Sequence, residues 1–189
     1  LTAIFAAQVK RGLHDAAAAE ARIALVTGTV GLADLSCCDL VIEAVFEDLA
    51  VKRGVFAELA GVCGPETIIA TNTSYLDPEQ IVADLPHPGR FIALHFFSPA
   101  QVMKLLEIVP LAATSPQTRA TGFALAARLG KIPVTAGNCE GFIGNRILKR
   151  YRAAAEMLLT EGIPPAAIDG AMRDFGFGMG PFEMQDMSG

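Results

Sequence analysis

Two residues of unlike chemistry stand out in FIALHFFSPAQVMKLLEIV, residues 91–109. His95 closes one strongly apolar run, and Glu107 lies inside another, LLEIV. A lone histidine on an apolar strand is ordinarily a satisfied structural residue. A carboxylate embedded among aliphatic side chains is harder to dismiss, because burying a charge without a partner is costly. A His–Glu pair resolves the difficulty. The carboxylate fixes the imidazole tautomer and stabilises the imidazolium, which is the arrangement a general base needs. Neither residue is a nucleophile in this setting, and no serine sits in a G-x-S-x-G elbow, so hydrolase chemistry has little support.

Other polar residues cluster where strands should end. Glu47 and Asp48 follow LVIEAVF, and Lys52 comes one helical turn later. In a parallel sheet, ligands gather at the carboxyl ends of strands. A solvated helix N-terminus, where acids are favoured by the dipole, accounts for the same residues equally well. The segment TNTSYL places Asn72, Thr73 and Ser74 after the next strand, where a helix cap with a turn is the simpler account. In CEGFIGNR, Asn145 opens a long helical pattern, either facing a substrate or filling a domain junction.

Glycine fingerprints for a dinucleotide are wanting. The dense cluster GFGMGP, Gly176–Pro181, follows no strand and carries a proline, so it is expected to be a tight loop between helices. Gly28 and Gly31 have the wrong spacing. If a dinucleotide binds, its phosphate-binding strand and turn are expected upstream of Leu1. The four cysteines, Cys37, Cys38, Cys63 and Cys139, form no C-x-x-C pair and have no nearby histidine pair, so no metal site is expected. Buried, reduced thiols of an intracellular protein are the expectation.

The elements that must position these residues alternate in kind. Residues 1–22 are helical in pattern with a break at Gly12, and Ile23–Val26 is a short strand candidate. Strands are predicted at Leu40–Val45, Thr67–Thr71, Phe91–His95, Leu105–Val109 and Ile132–Thr135. Helices are predicted at Leu49–Val62, Pro78–Asp84 and Ser115–Leu129, a β–α alternation typical of buried parallel strands. After Gly137-Asn138 only helical patterns follow: Gly144–Glu161, then a helix opened by Pro164-Pro165, then a glycine-rich loop over Phe175–Phe182. Residues 1–139 are thus expected to form an α/β domain with a Rossmann-type, mostly parallel sheet, and residues 140–189 the beginning of an all-helical domain.

Composition excludes several classes. Of 189 residues, 52% are hydrophobic and 19% charged, which rules out disorder and allows a sizeable core. The longest stretch free of Asp, Glu, Lys and Arg, Phe91–Met103, is too short for a membrane span, which takes about 20 apolar residues. A net charge of −5 argues against nucleic acid, whose phosphates demand clustered Lys and Arg.

Five segments, LVIEAVFEDLAVK, ATNTSYL, HFFSPAQVMKLLEIV, GNCEGFIGNR and FGFGMGPF, resemble in this order the 3-hydroxyacyl-CoA dehydrogenase family. HFFSP and FGFGMGPF look most like the dehydrogenase part of multifunctional fatty-acid oxidation proteins, bacterial or peroxisomal. The resemblance implies an NAD-binding Rossmann domain lacking its first strand and glycine loop, then part of a helical domain for substrate and dimerisation. It matches His95 to the catalytic histidine, Glu107 to its carboxylate partner, and Ser74 and Asn145 to residues that hold the substrate oxygen and the histidine. Glu47 and Lys52 match contacts to the nicotinamide half of NAD, and Ser74 and Ser98 join them. Ser98 departs from the asparagine that single-function members often carry.

The implied function is oxidation of 3-hydroxyacyl-CoA to 3-oxoacyl-CoA in β-oxidation, in the cytoplasm or, in a eukaryote, the peroxisome. Acyl-CoA is the implied partner, and both a homo-oligomer and a fusion with an enoyl-CoA hydratase domain are compatible with it. A catalytically inactive acyl-CoA-binding or structural module of the same fold is the alternative, which the retained His95 and Glu107 disfavour. The 189 residues by themselves are expected to be weakly active or inactive.

Overall fold

The computed structural model describes residues 1–188. Two short helices come first, α1 (Thr2–Lys10) and α2 (Ala16–Ile23), separated by a turn in which Gly12 adopts φ +71°. Asp15 caps α2, its carboxylate accepting the Ala18 N–H at 2.6 Å. Ile23–Val26, expected as a strand, instead ends this helix. Leu25 and Val26 donate backward to Arg22 and Ile23 as turns, so the momentum of the alanine-rich helix overrides a short β-branched run with no strand beside it.

The sheet has five strands in sequence order: β1 (Leu40–Glu43), β2 (Ile68–Thr71), β3 (Phe91–Phe96), β4 (Leu105–Pro110) and β5 (Ile132–Thr135). β1, β2 and β3 run parallel, β4 is antiparallel to β3, and β5 is parallel to β4. The crossover from β1 to β2 is α3 (Leu49–Val62), capped by Asp48; α4 (Pro78–Ile81) lies between β2 and β3, and α5 (Pro116–Arg128) between β4 and β5. One face of the sheet buries Ile69 and Phe91 against Phe56, Leu59 and Ile81. The other buries Ala70, Ile92, Leu94, Leu106 and Ile108 against Ala126. Helix α5 sits close because Gly122 has no side chain; a Cβ there would meet Leu94, Ile92 and Ile108 at 3.4–3.6 Å. Burial on both faces is why β2 and β3 read as unbroken apolar runs.

Three helices follow: α6 (Gly144–Thr160), α7 (Pro165–Phe175) and α8 (Pro181–Ser188). The glycine-rich loop is shorter than expected, because Pro181 opens α8 rather than extending the loop. Proline suits a first helical position, where no N–H is needed. Asp169 on α7 accepts the Phe182 and Glu183 N–H groups, and Glu183 reaches back to the Gly180 N–H at 2.8 Å. Of the cysteines only Cys63 is buried; Cys37 is exposed, and Cys38 and Cys139 are half-buried. Burial pushes the Cys63 thiol up, against the pull of Arg90, which disfavours the reactive thiolate.

Candidate active site

Because β1, β2 and β3 are parallel, their carboxyl ends share one sheet edge, and antiparallel β4 brings its early residues to the same place. The β3–β4 register sets His95 directly opposite Glu107. His95 Nδ1 lies 2.7 Å from Glu107 Oε2, with the two side chains 3% and 0% exposed. A carboxylate only accepts, so the ring proton sits on Nδ1 and the lone pair on Nε2. Phe97 and Phe142 flank the imidazole, with ring centroids at 4.6 and 5.6 Å. Nε2 has no hydrogen-bond partner among the described residues.

The second oxygen of Glu107 plays a different part. Oε1 accepts the backbone N–H groups of Ile143 at 3.0 Å and Gly144 at 2.8 Å. Helix α6 begins at Gly144 and has no side-chain cap of its own. Glu107 therefore caps α6 from the sheet, where the helix dipole favours a negative charge. One carboxylate thus orients the histidine and docks the first helix after the sheet. Asn145, the next residue of α6, is half-buried, and its amide group has no partner among the described residues.

A second buried carboxylate, Glu43, ends β1. Its Oε1 accepts from Lys52 Nζ at 2.7 Å and from the Val45 N–H at 2.6 Å, and its Oε2 accepts from the Thr71 hydroxyl at 2.8 Å. Lys52 also lies 3.2 Å from Glu47 Oε2 and donates to the Val45 carbonyl at 3.2 Å. Glu47 Oε1 gathers the Thr73 hydroxyl at 2.5 Å and the Ser74 and Tyr75 N–H groups at 2.8 and 3.0 Å. Partial burial alone would raise the Glu47 pKa. The Thr73, Tyr75, Ser74 and Lys52 donors outweigh it and hold the carboxyl at about 2, so Glu47 is ionised at any physiological pH.

The residues singled out in the sequence thus fall into distinct positions. His95 and Glu107 meet, and Glu47 meets Lys52 and the backbone of Ser74, while the Ser74 hydroxyl has no partner among the described residues. Asn72 is structural, its Oδ1 accepting the Phe96 N–H at 2.8 Å and tying the end of β2 to β3. Ser98 is exposed just beyond β3, and no hydrogen bond joins its side chain to the others. Glu43 escaped notice in the sequence, although LVIEAV carries the signal that LLEIV does, an acid inside an apolar strand. Toward a dinucleotide, the ionised Glu47 and the unpartnered Ser74 hydroxyl offer an acceptor and a donor at this end of the sheet. No strand–glycine turn–helix unit for the pyrophosphate exists among the described residues, since Gly176–Gly180 joins two helices.

A mostly parallel sheet with crossover helices, a buried His–carboxylate pair at its ligand edge and a helical segment docked on that pair defines the class: a Rossmann-like dehydrogenase fold. Residues 1–139 match the family model for the NAD binding domain of 3-hydroxyacyl-CoA dehydrogenase, and residues 141–189 match the model for its C-terminal domain. The chain belongs to the 3-hydroxyacyl-CoA dehydrogenase family. The peroxisomal bifunctional enzyme of Cavia porcellus is 50% identical over 156 residues, covering 82% of this chain and 22% of that protein. The fatty acid oxidation complex subunit alpha of Vibrio cholerae is 40% identical over 186 residues, covering 98% and 26%. The chain therefore spans about a quarter of the length of such curated relatives. Among solved structures, 3-hydroxybutyryl-CoA dehydrogenase from Escherichia coli superposes with a TM-score of 0.93 at 39% identity, covering all of this chain and 40% of that one. The (S)-3-hydroxybutyryl-CoA dehydrogenase of Ralstonia eutropha gives 0.94 at 34% identity, covering 99% and 67%.

Proposed function

We propose that the full-length protein carrying this chain oxidises 3-hydroxyacyl-CoA to 3-oxoacyl-CoA with NAD, as a step of fatty-acid β-oxidation. The observation that carries this reading is Glu107, held between His95 and the first turn of α6. The carboxylate fixes Nδ1 as the protonated nitrogen and leaves the Nε2 lone pair free to take the proton of the substrate 3-hydroxyl. The imidazolium so formed faces a full negative charge 2.7 Å away. Ser74 and Asn145, whose polar side-chain atoms have no partner among the described residues, hold the 3-oxygen while the C–O bond becomes a carbonyl. Phe97 and Phe142 pack against the imidazole at tilted angles and give it an apolar surround.

Glu47, Ser74 and Ser98 hold the nicotinamide half of the cofactor, and Lys52 belongs to the same cluster. When bound, NAD supplies the acceptor for the hydrogen and electron pair that leave C3. The relatives named bifunctional or as complex subunits support a setting in which this dehydrogenase is one part of a longer multifunctional chain. The full-length protein is expected to oxidise NADH in the presence of acetoacetyl-CoA, and His95→Gln to abolish most of that rate. Intact acetoacetyl-CoA binding with no turnover in the wild type would instead favour a non-catalytic acyl-CoA-binding module.

A further inference from the structure

Phe142 stands between the sheet and α6 in a conformation that a bulky residue rarely takes. Its φ is +46°, in the left-handed region, and Gly141 before it is at +71°. Glycine reaches that region freely, whereas a bulky side chain there is an outlier. Such strain persists only where the surroundings over-determine it, and it gathers at functional sites. Here the surroundings are the contacts of the ring itself. Phe142 is 2% exposed and packs with Ala93, Val109 and Ala136, and its ring centroid lies 5.6 Å from that of His95. Burial of the ring against β3, β4 and the residue after β5 holds the backbone in its strained turn.

That turn serves Glu107. Ile143, which follows, is right-handed at φ −96° and ψ −58°. A left-handed residue beside a right-handed one points successive N–H groups toward one spot, an anion-binding nest. The N–H groups of Ile143 and Gly144 meet at Glu107 Oε1, at 3.0 and 2.8 Å. The other oxygen of the same carboxylate holds His95 Nδ1. We infer that Phe142 is a positioning residue for the base: its ring seats the imidazole, and its backbone aims the nest at Glu107. This rests on the proposed dehydrogenase function, in which His95 is the base, and adds the residue that keeps the pair aligned. A glycine would make the same turn without strain, so it is the ring that accounts for phenylalanine here.

The test uses the full-length protein and Phe142→Gly, which frees the backbone and removes the ring. With acetoacetyl-CoA and NADH, kcat should fall about tenfold, the cost of a small misplacement of a reacting group, while the NADH dissociation constant stays within about twofold. Nitrogen-15 histidine spectra, with His95→Gln identifying the signal, should show protonated Nδ1 alone in the wild type and a mixture of tautomers in the variant. A merely structural role would leave the tautomer alone. In a Glu107→Gln background, where the base is already lost, Phe142→Gly should cost less than about twofold more. An unchanged kcat or an unchanged His95 signal in Phe142→Gly overturns the inference, and so do losses that multiply in the double variant. Should Phe142→Gly fail to fold, Phe142→Leu, which refills the space without a flat ring, replaces it with a fall of about fivefold and the same overturning results. A wild type that shows the Nδ1 signal without turnover sinks the proposed function alone, whereas wild-type turnover with an unaltered variant sinks only this inference.

Discussion

Glu43 and Glu107 are two buried glutamates on two strands of one sheet, at the same edge, and they are used in opposite ways. Glu43 is closed by Lys52, whose ammonium also lies 3.2 Å from Glu47 Oε2 and from the Val45 carbonyl. Glu107 is closed by an imidazole, which keeps a second nitrogen free, and by two backbone N–H groups of α6. A buried carboxylate demands a partner in both cases. The identity of that partner decides what the site can do. A lysine offers only donors, whereas an imidazole can donate from one nitrogen and accept at the other.

Exchanging the losses shows the contrast most sharply. His95→Gln in the full-length protein should lower kcat by about 10²–10⁴ while NADH affinity changes little, as for loss of a general base. Its urea midpoint should stay close to wild type, because glutamine still offers Glu107 a donor. Lys52→Met should behave in reverse at the level of folding. It leaves Glu43 charged and unpaired in the interior, and breaking a buried pair from one side costs about 3–5 kcal/mol of stability. Urea unfolding followed by circular dichroism checks both. A Lys52 variant of unaltered stability would mean that Glu43 finds water or another donor, and the two glutamates would then differ less than the geometry indicates.

Glu107→Gln tests the double use of one carboxylate, with a smaller effect. The amide oxygen can still accept from Ile143 and Gly144, so α6 stays capped. Its NH₂ group must then face Nδ1, which forces the ring proton onto Nε2 and, under the proposed function, removes the base. A fall in kcat of about 10² is expected without loss of fold. Glu107→Leu removes the cap as well and should cost a further 1–2 kcal/mol or so in stability, the usual range for losing a helix cap. If Gln and Leu lower stability equally, the contact between Glu107 and α6 contributes nothing.

Much of this was legible in the sequence, and the exceptions share a cause. The five strands and the crossover helices announced themselves through apolar runs bounded by Gly, Pro and Asp, because burial on both faces leaves so little freedom in composition. His95 and Glu107 were visible as an odd acid and an odd base in adjoining apolar runs. The capping of α6 by Glu107 was not, since it joins residues 36 and 37 positions apart through backbone N–H groups that carry no side-chain signal. The partners of Lys52 were hidden for the same reason: charge spacing fitted a ligand-facing strand end and a solvated helix N-terminus equally well, and only the fold brings the ammonium to Glu43, Glu47 and the Val45 carbonyl. The end of α2 was misjudged at Ile23–Val26 because β-branched residues signal a strand only when a neighbour exists to pair with.

The smallest effect belongs to Glu47, and pH reveals it. Its carboxyl is held at about 2 rather than the ordinary 4.5, since the folded state supplies donors from Thr73, Tyr75, Ser74 and Lys52 that more than offset partial burial. A depressed folded-state pKa means that the unfolded chain binds the proton first. The stabilisation is therefore complete above about pH 4.5 and is lost as pH falls from there toward 2. Glu47→Gln, which cannot ionise, should be less stable than wild type near neutral pH, and the gap should narrow as the pH is lowered through this window. Exposure of more than a third of the side chain lets solvent screen the interaction, which is why this gap should be smaller than the loss in Lys52→Met. Parallel urea titrations of the two proteins at roughly pH 7, 4 and 3, which sample both sides of the onset, measure it. A gap independent of pH would show that the donors around Glu47 hold the loop by shape rather than by its charge, and the site around Glu43 would then be a scaffold in which only Lys52 and Glu43 need to be ionic.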